Sequence, residues 1–281
     1  MATTIKFTKM HGAGNDYIYV YTPECPIPDP AKASIEWSKF HFGIGSDGLI
    51  LINKSATPEA DFFMRIFNND GSEAMMCGNG VRCVGKYVYD HHLTDKTTVA
   101  IDTLSGIKVI DLHVGNDGKV NTATVNMGAP ILKNTKQLAT TDGGMIAGQV
   151  GDYTGTYVCM GNPHFVIFVP DVMDIDLPTE GAKMEFNPMF PERCNIEFAS
   201  IRPDGTIRMR VWERGSGITM ACGTGACATA VAACLNGLRG RESYIEMDGG
   251  TLHIEWRESD NCIYMTGPAA TAFEGEVELP E

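Results

Sequence analysis

One short pattern occurs twice in this chain, and it limits the possible folds more than any other feature. Met76-Cys77-Gly78-Asn79-Gly80 heads one stretch with helical spacing. Ala221-Cys222-Gly223-Thr224-Gly225 heads another, 145 positions on from Cys77 to Cys222, and a further cysteine follows each, Cys83 or Cys227. The second stretch, Ala226 to Leu235, carries no charge and is apolar or small on every side. A helix of that kind must be enclosed all round, and in a soluble β-rich chain the enclosure is a curved sheet. The repeat therefore predicts two similar halves, each a sheet wrapped around a helix. They fall at about residues 1–123 and 124–265, with the C-terminal tail 266–281 returning to the first.

Most of the remaining sequence reads as strands separated by Gly, Asn and Asp turns. These are Tyr17 to Tyr21, Leu49 to Asn53, Phe62 to Phe67, Thr98 to Asp102, Lys108 to His113, Ala123 to Met127, Phe165 to Val169, Ile196 to Ile201, Ile207 to Glu213, Tyr244 to Met247, Leu252 to Trp256 and Cys262 to Met265. Turns such as Asn116-Asp117-Gly118 and Pro203-Asp204-Gly205 supply the backbone angles that hairpins need, so the sheets read as largely antiparallel. Three helices are expected: Gly78 to about His91, Gly223 to about Leu238, and Pro30 to about Phe42. The last has Asp29 as its cap, Pro30 at the first helical position and Gly43 past the end.

With 281 residues, 43% of them apolar and 20% charged, the chain has the composition of a soluble globular protein of two medium domains or one large one. A net charge of -13 repels nucleic acid and anionic membrane, which excludes both as partners. No apolar run reaches the length of a signal peptide core or a membrane span. Nine cysteines without an export signal point to reduced thiols and a cytoplasmic setting, and no C-x-x-C suggests a metal.

A cysteine at a helix start sits at the positive end of the macrodipole beside unpaired backbone N–H groups, which favours thiolate and makes it a usable base. The glycines after it let those N–H groups reach a bound carboxylate. Two such turns facing one small carboxylate would place a sulfur on each face of its α-carbon. One sulfur abstracts a proton and the other delivers one, which inverts a stereocentre. The developing carbanion needs preorganised donors, each worth about 3 to 4 kcal/mol in comparable sites. The other cysteines, Cys25, Cys83, Cys159, Cys194, Cys227, Cys234 and Cys262, read as small buried residues. Along Ile207 to Glu213, the residues Ile207, Met209 and Val211 alternate onto the face that Glu213 shares, so a carboxylate ends a core-facing row near the second cysteine turn.

At these residues the chain resembles the diaminopimelate epimerase family. The resemblance runs through Lys9-Met10-His11-Gly12-Ala13-Gly14-Asn15-Asp16, Arg65-Ile66-Phe67-Asn68 with Gly71-Ser72-Glu73, and Cys77-Gly78-Asn79-Gly80-Val81-Arg82-Cys83. It continues through Met160-Gly161-Asn162-Pro163-His164, Val211-Trp212-Glu213-Arg214-Gly215, Ala221-Cys222-Gly223-Thr224-Gly225-Ala226-Cys227 and Met265-Thr266-Gly267-Pro268. It implies an α+β fold of two pseudo-symmetric halves, each an antiparallel β-barrel-like roll around a central helix, with the active site between them. It implies interconversion of LL- and meso-diaminopimelate, for lysine and peptidoglycan-precursor synthesis, without pyridoxal phosphate, other organic cofactor or metal. Cys77 and Cys222 would be the acid/base pair, and His164 and Glu213 would tune them. Substrate would be held by Asn15, Asn68, Asn162, Asn195, Glu213 and Arg214, with backbone help from Gly78, Asn79, Gly223 and Thr224. A homodimer is expected from the resemblance alone.

One position departs from the pattern: where some relatives carry a substrate-touching glutamine, this chain has Gly48, so that contact is absent or supplied by backbone or water. Residue chemistry supports the site independently, since Arg214 offers a planar fork for a second carboxylate and the asparagines offer donors and acceptors. Read without the resemblance, Arg214 is rather a surface ion-pair residue, the asparagines turn residues and His164 a structural histidine. Three rival functions stay open on the residues. A proline or hydroxyproline racemase would leave Arg214, Asn68, Asn162 and Asn195 without a role. A thiol redox or acyl-transfer enzyme would need only one of the two cysteines. An anion-binding module would need no chemistry at all.

Overall fold

The computed structural model describes residues 3–280, which form two compact units: residues up to Val125 together with Gly267 onward, and Asn126–Thr266. The strands of the first unit are β1 (Thr4–Gly12), β2 (Asn15–Tyr21), β3 (Gly48–Lys54), β4 (Phe62–Asn68), β5 (Glu73–Ala74), β6 (Thr98–Asp102), β7 (Lys108–Val114) and β8 (Val120–Gly128). Those of the second are β9 (Gly148–Val150), β10 (Tyr153–Cys159), β11 (Pro163–Phe168), β12 (Asn195–Ile201), β13 (Ile207–Glu213), β14 (Gly217–Ile218), β15 (Glu242–Met247), β16 (Gly250–Trp256) and β17 (Ile263–Pro268). The last strand, β18 (Ala270–Glu278), belongs to the first unit and pairs antiparallel with β1 from Thr4↔Glu278 to His11↔Ala270. The helices are α1 (Pro30–Ser38), α2 (Gly78–Asp90), α3 (Leu177–Glu185) and α4 (Gly223–Leu235).

Each unit repeats one plan. In the first the strand order is β18-β1-β2-β3-β4-β6-β7-β8, and in the second it is β9-β10-β11-β12-β13-β15-β16-β17, with β5 and β14 as short additions to β4 and β13. Pairing is mostly antiparallel. Two pairs in each unit run parallel, β2–β3 and β4–β6, then β11–β12 and β13–β15. In each unit a peripheral helix intervenes between the first parallel pair and the central helix between the second, since a parallel connection must cross from one end of the sheet to the other.

The sheet of each unit is covered on both faces. In the first, α1 lies on β3 and β4 and closes a core of Ile18, Val20, Ala33, Trp37, Leu49, Leu51 and Phe67, while α2 packs against β1, β2, β6 and β7 on the other face. In the second, α3 lies on β12 and β13 over Phe165, Ile167, Leu177, Met184, Ile196 and Phe198, and α4 packs against β10, β11, β15 and β16. The enclosure that the charge-free α4 demands is present: Ala226 through Ala233 are all buried. The counterpart α2 differs in burying two cations, Arg82 and Lys86; Lys86 pairs with Asp90 at 2.6 Å and donates to the Val120 carbonyl.

Helix α1 stops at Ser38, short of the expected Phe42. Lys39, at ψ 118°, has already left the helix, the Ser38 hydroxyl bonds that of Ser46 at 3.0 Å, and Phe40 and Phe42 are exposed, so the chain turns away before the Gly43 that was read as the stop. Helix α3 was not expected. It occupies in the second unit the place of α1 in the first and, like α1, has a proline in its opening turn.

Candidate active site

Each unit presents one cysteine as the N-cap of its central helix. Cys77 precedes α2 with extended backbone angles, and its sulfur accepts the Gly80 N–H at 3.3 Å; Cys222 precedes α4 in the same way, and its sulfur accepts the Gly225 N–H at 3.4 Å. Sulfur thus takes the role that a serine or aspartate oxygen plays at an ordinary cap. The capping bond uses the third amide of each helix. The first two, Gly78 and Asn79 or Gly223 and Thr224, lie ahead of any carbonyl that the helix itself could offer them.

In the first unit the Cys77 thiol donates to Asn15 Oδ1 at 3.2 Å. The orientation of that carboxamide is fixed from behind: Asn15 Nδ2 donates to Asp47 at 2.7 Å, and the same carboxylate oxygen accepts the Asp16 N–H at 3.0 Å. Burial holds Asp47 above the ordinary aspartate range, against the lowering effect of the Asp16 amide. Tyr17, buried beside the sulfur, is raised by burial and then by the charge of Cys77. Asn79 does not offer its side-chain oxygen to the cap, because its Oδ1 accepts from the buried Arg82 at 2.8 Å. Asn68 ends β4 and donates to Ser72 Oγ at 3.0 Å.

In the second unit the expected residues make separate local links. Asn162 Oδ1 lies 3.0 Å from His164 Nε2, Asn195 accepts the Arg214 N–H at 2.8 Å, Glu213 accepts from Thr219 at 2.5 Å, and Cys222 is among the groups that oppose the rise of Glu213. Arg214 donates Nη1 to the Glu192 carbonyl at 2.9 Å. Thr224 Oγ1 lies 3.5 Å from the Cys222 sulfur. Burial raises Glu213 above the ordinary glutamate range, opposed by the Thr219 hydroxyl.

The helix dipole was expected to favour thiolate at both cysteines. At Cys222 the balance runs the other way, and this expectation is corrected: loss of water around the sulfur, then the carboxylates of Glu213 and Glu197, push the thiol well above its ordinary range despite Thr224 and the Gly225 amide. A helix terminus contributes about 0.3–1 kcal/mol, and full burial beside negative charge outweighs it. Burial likewise raises the thiols of Cys83, to about 11, and of Cys159 and Cys194.

Three supporting residues escaped the sequence reading. Asp47 orients Asn15, as described. Glu185, 3% exposed at the end of α3, accepts from Trp212 Nε1 at 2.7 Å, the Gly215 N–H at 3.0 Å and Arg193 at 3.1 Å, which holds the turn carrying Glu213 and Arg214. Glu197, fully buried on β12, bonds His164 Nδ1 at 2.6 Å. The lone Glu between apolar neighbours in Ile196-Glu197-Phe198-Ala199 was the available signal. Among the described residues no cluster of His, Cys, Asp or Glu is arranged to hold a metal ion, and no helix is long and apolar enough to cross a membrane.

Among solved structures the fold resembles a hydroxyproline epimerase from Agrobacterium vitis, with a TM-score of 0.72 at 14% identity over 100% of this chain and 95% of that one. It also resembles a Bacillus anthracis protein of the PhzF phenazine biosynthesis family, with a TM-score of 0.70 at 17% identity over 98% and 99% of the two chains. Two like units, each with a cysteine capping a buried central helix, define the class by fold: the two-unit architecture shared with that hydroxyproline epimerase. The diaminopimelate epimerase family profile matches residues 7–133 and 156–272. Diaminopimelate epimerases of Phocaeicola vulgatus and Bacteroides thetaiotaomicron are 62% and 60% identical, each aligned over 99% of this chain and 100% of the relative. The chain belongs to the diaminopimelate epimerase family.

Proposed function

We propose that this chain interconverts LL- and meso-diaminopimelate by two-base proton transfer, with Cys77 and Cys222 as the pair, in lysine and peptidoglycan-precursor synthesis. The observation that carries the reading is the duplicated cap: each unit offers one thiol at the start of a buried helix, with two backbone amides beyond the reach of helical carbonyls. One sulfur, as thiolate, takes the α-proton from carbon; the pair of electrons left behind is delocalised into the α-carboxylate, where the helix-start amides stabilise it. The other sulfur, as thiol, delivers its proton to the opposite face, so configuration inverts and the protonation states of the two cysteines exchange. The reading requires that both thiols reach one α-carbon.

Asn15, Asn68, Asn162, Asn195, Glu213 and Arg214 hold the substrate, Arg214 pairing its second carboxylate and Glu213 its ammonium. His164 and Glu213 set the proton affinity of the Cys222 side. The enzyme works in the cytoplasm as a homodimer, an assignment supported by family membership and tested by light scattering on the purified chain. Incubation of LL-diaminopimelate in deuterated water tests the chemistry. Wild type is expected to yield meso product carrying α-deuterium, and Cys77→Ser and Cys222→Ser are each expected to lose inversion. Inversion surviving in either variant would defeat the two-base assignment.

A further inference from the structure

The proton-transfer reading needs one sulfur to rest as base and the other as acid, yet the two capping bonds are alike. One difference lies beneath them. In the first unit Ile50 stands opposite Ile66 on β4, and a Cβ placed on Gly80 would meet Ile50 Cδ1 at 2.7 Å. In the second, Glu197 stands opposite Val211 on β13, and a Cβ placed on Gly225 would meet Glu197 Oε1 at 2.8 Å. The same hypothetical atom lies 3.3 Å from the Cys222 sulfur, so sulfur and carboxylate are separated by no more than those two distances together. Glu197 and Ile50 thus occupy one position of the repeated plan, under the first turn of the central helix. On the neighbouring strand His164 pairs with Asn195 in register, and Tyr17 holds the matching place on β2, one residue before Ile18↔Leu49.

We propose that Glu197 is a positioning residue: its buried carboxylate, locked to His164 beneath the start of α4, keeps the Cys222 sulfur as a thiol in the free enzyme and makes that half-site the resting proton donor. This rests on the two-base reading above and adds to it the source of the asymmetry. Both Glu197 and His164 are wholly buried, and Glu197 Oε1 lies 2.6 Å from His164 Nδ1, within hydrogen-bond distance. Glu197 Oε2 has no hydrogen-bond partner among the described residues, so its charge is left to act on its surroundings. The charged and titratable groups around it are His164 from β11, Glu213 from β13, Cys222 from the start of α4, and Cys194 and Arg214 beside β12 and β13. Ionising Cys222 would put a third negative charge among these groups with water excluded. In the first unit Ile50 adds none. The same carboxylate anchors one ring nitrogen of His164, and the other, Nε2, lies 3.0 Å from Asn162 Oδ1.

The test is a thiolate titration by absorbance near 240 nm in a Cys77→Ser background, with Cys77→Ser/Cys222→Ser subtracted. Adding Glu197→Gln is expected to lower the Cys222 midpoint by about one pH unit or more, the usual effect of removing one nearby like charge, so that about tenfold more thiolate is present at a given pH. Glu197→Asp, which restores the charge, is expected to recover most of the shift. A midpoint unmoved or raised in Glu197→Gln would overturn the proposal. The double exchange His164→Tyr/Glu197→Ile imports the residues of the first unit and is expected to lower the midpoint in the same way. It serves if the glutamine variant fails to fold. In wild type, iodoacetamide followed by peptide mapping is expected to label Cys77 at lower pH than Cys222, and the reverse order would also overturn the proposal. None of these readouts uses turnover, so absence of deuterium incorporation would sink the two-base reading separately.

Discussion

Glu185 makes no contact with either cysteine, and its removal is expected to disable the second half-site. Its two oxygens collect three donors, of which Trp212 Nε1 and the Gly215 amide make part-buried bonds and Arg193 is half exposed. In Glu185→Ala, Arg193 turns to solvent while the other two donors lose their acceptor. Each orphaned donor costs about 1–3 kcal/mol, and with the lost packing the total is about 3–5 kcal/mol. Glu185→Gln keeps the shape and one acceptor oxygen, so about 1.5–3 kcal/mol is expected from the weakened charged bonds. The consequence reaches catalysis because Gly215, at φ +78°, directly follows Glu213 and Arg214, and Asn195 grips the same turn through the Arg214 amide. Urea denaturation followed by tryptophan fluorescence measures the first effect, and kcat/KM on LL-diaminopimelate the second, expected to fall about tenfold in Glu185→Gln. A glutamine variant with wild-type midpoint and wild-type kcat/KM would refute the reasoning.

Three other outcomes follow from the site. Gly48→Gln, which supplies the side chain of some relatives, is expected to destabilise by about 1–3 kcal/mol as an overpacked site does, because its Cβ would meet the Phe67 carbonyl oxygen at 2.1 Å; an unchanged urea midpoint would contradict this. Burial raises Glu213, so the folded chain holds that proton to higher pH than the unfolded one; the stabilisation is complete below the ordinary glutamate range and fades as pH rises through the raised value. Urea midpoints between about pH 4 and 7 should therefore fall more steeply with pH in wild type than in Glu213→Gln, and equal slopes would be inconsistent with a buried Glu213. Asp47→Asn is expected to raise KM several-fold by freeing the Asn15 carboxamide while shifting the urea midpoint little, since relief of a buried charge offsets weaker hydrogen bonds; an unchanged KM would count against Asp47 as the group that orients Asn15.

The parts of the fold that were legible in the sequence were those that one residue pattern determines alone. The caps could be read because Cys-Gly-x-Gly is rare and repeated, and α4 because a helix without charges has only one kind of surrounding. Helix α3 could not be read by its own pattern, since Pro178 and Gly181 interrupt it; Gly181 is needed there because a Cβ would meet Trp212 at 2.5 Å. Carrying the offset of the repeat back to Pro30–Ser38 would have located it. Glu197 was hidden for a different reason. In a strand with one wet face a lone glutamate reads as outward, but α3 and α4 cover both faces here, so the polar side chain points into the protein. Asn79 was identified as a site residue through its backbone, and nothing in the sequence foretold that Arg82 would claim its side chain.

The pairing of β1 with β18 sets an order on events at the ribosome. Residues 126–266 are contiguous and can assemble as soon as they emerge, whereas the first unit must wait, with β1 lacking its outer neighbour, until residues 270–278 have been synthesised. The half of the molecule made first is thus completed last. A nascent chain stalled before Ala270 would expose a naked strand edge, the natural point of attack for chaperones or for a second unfinished copy.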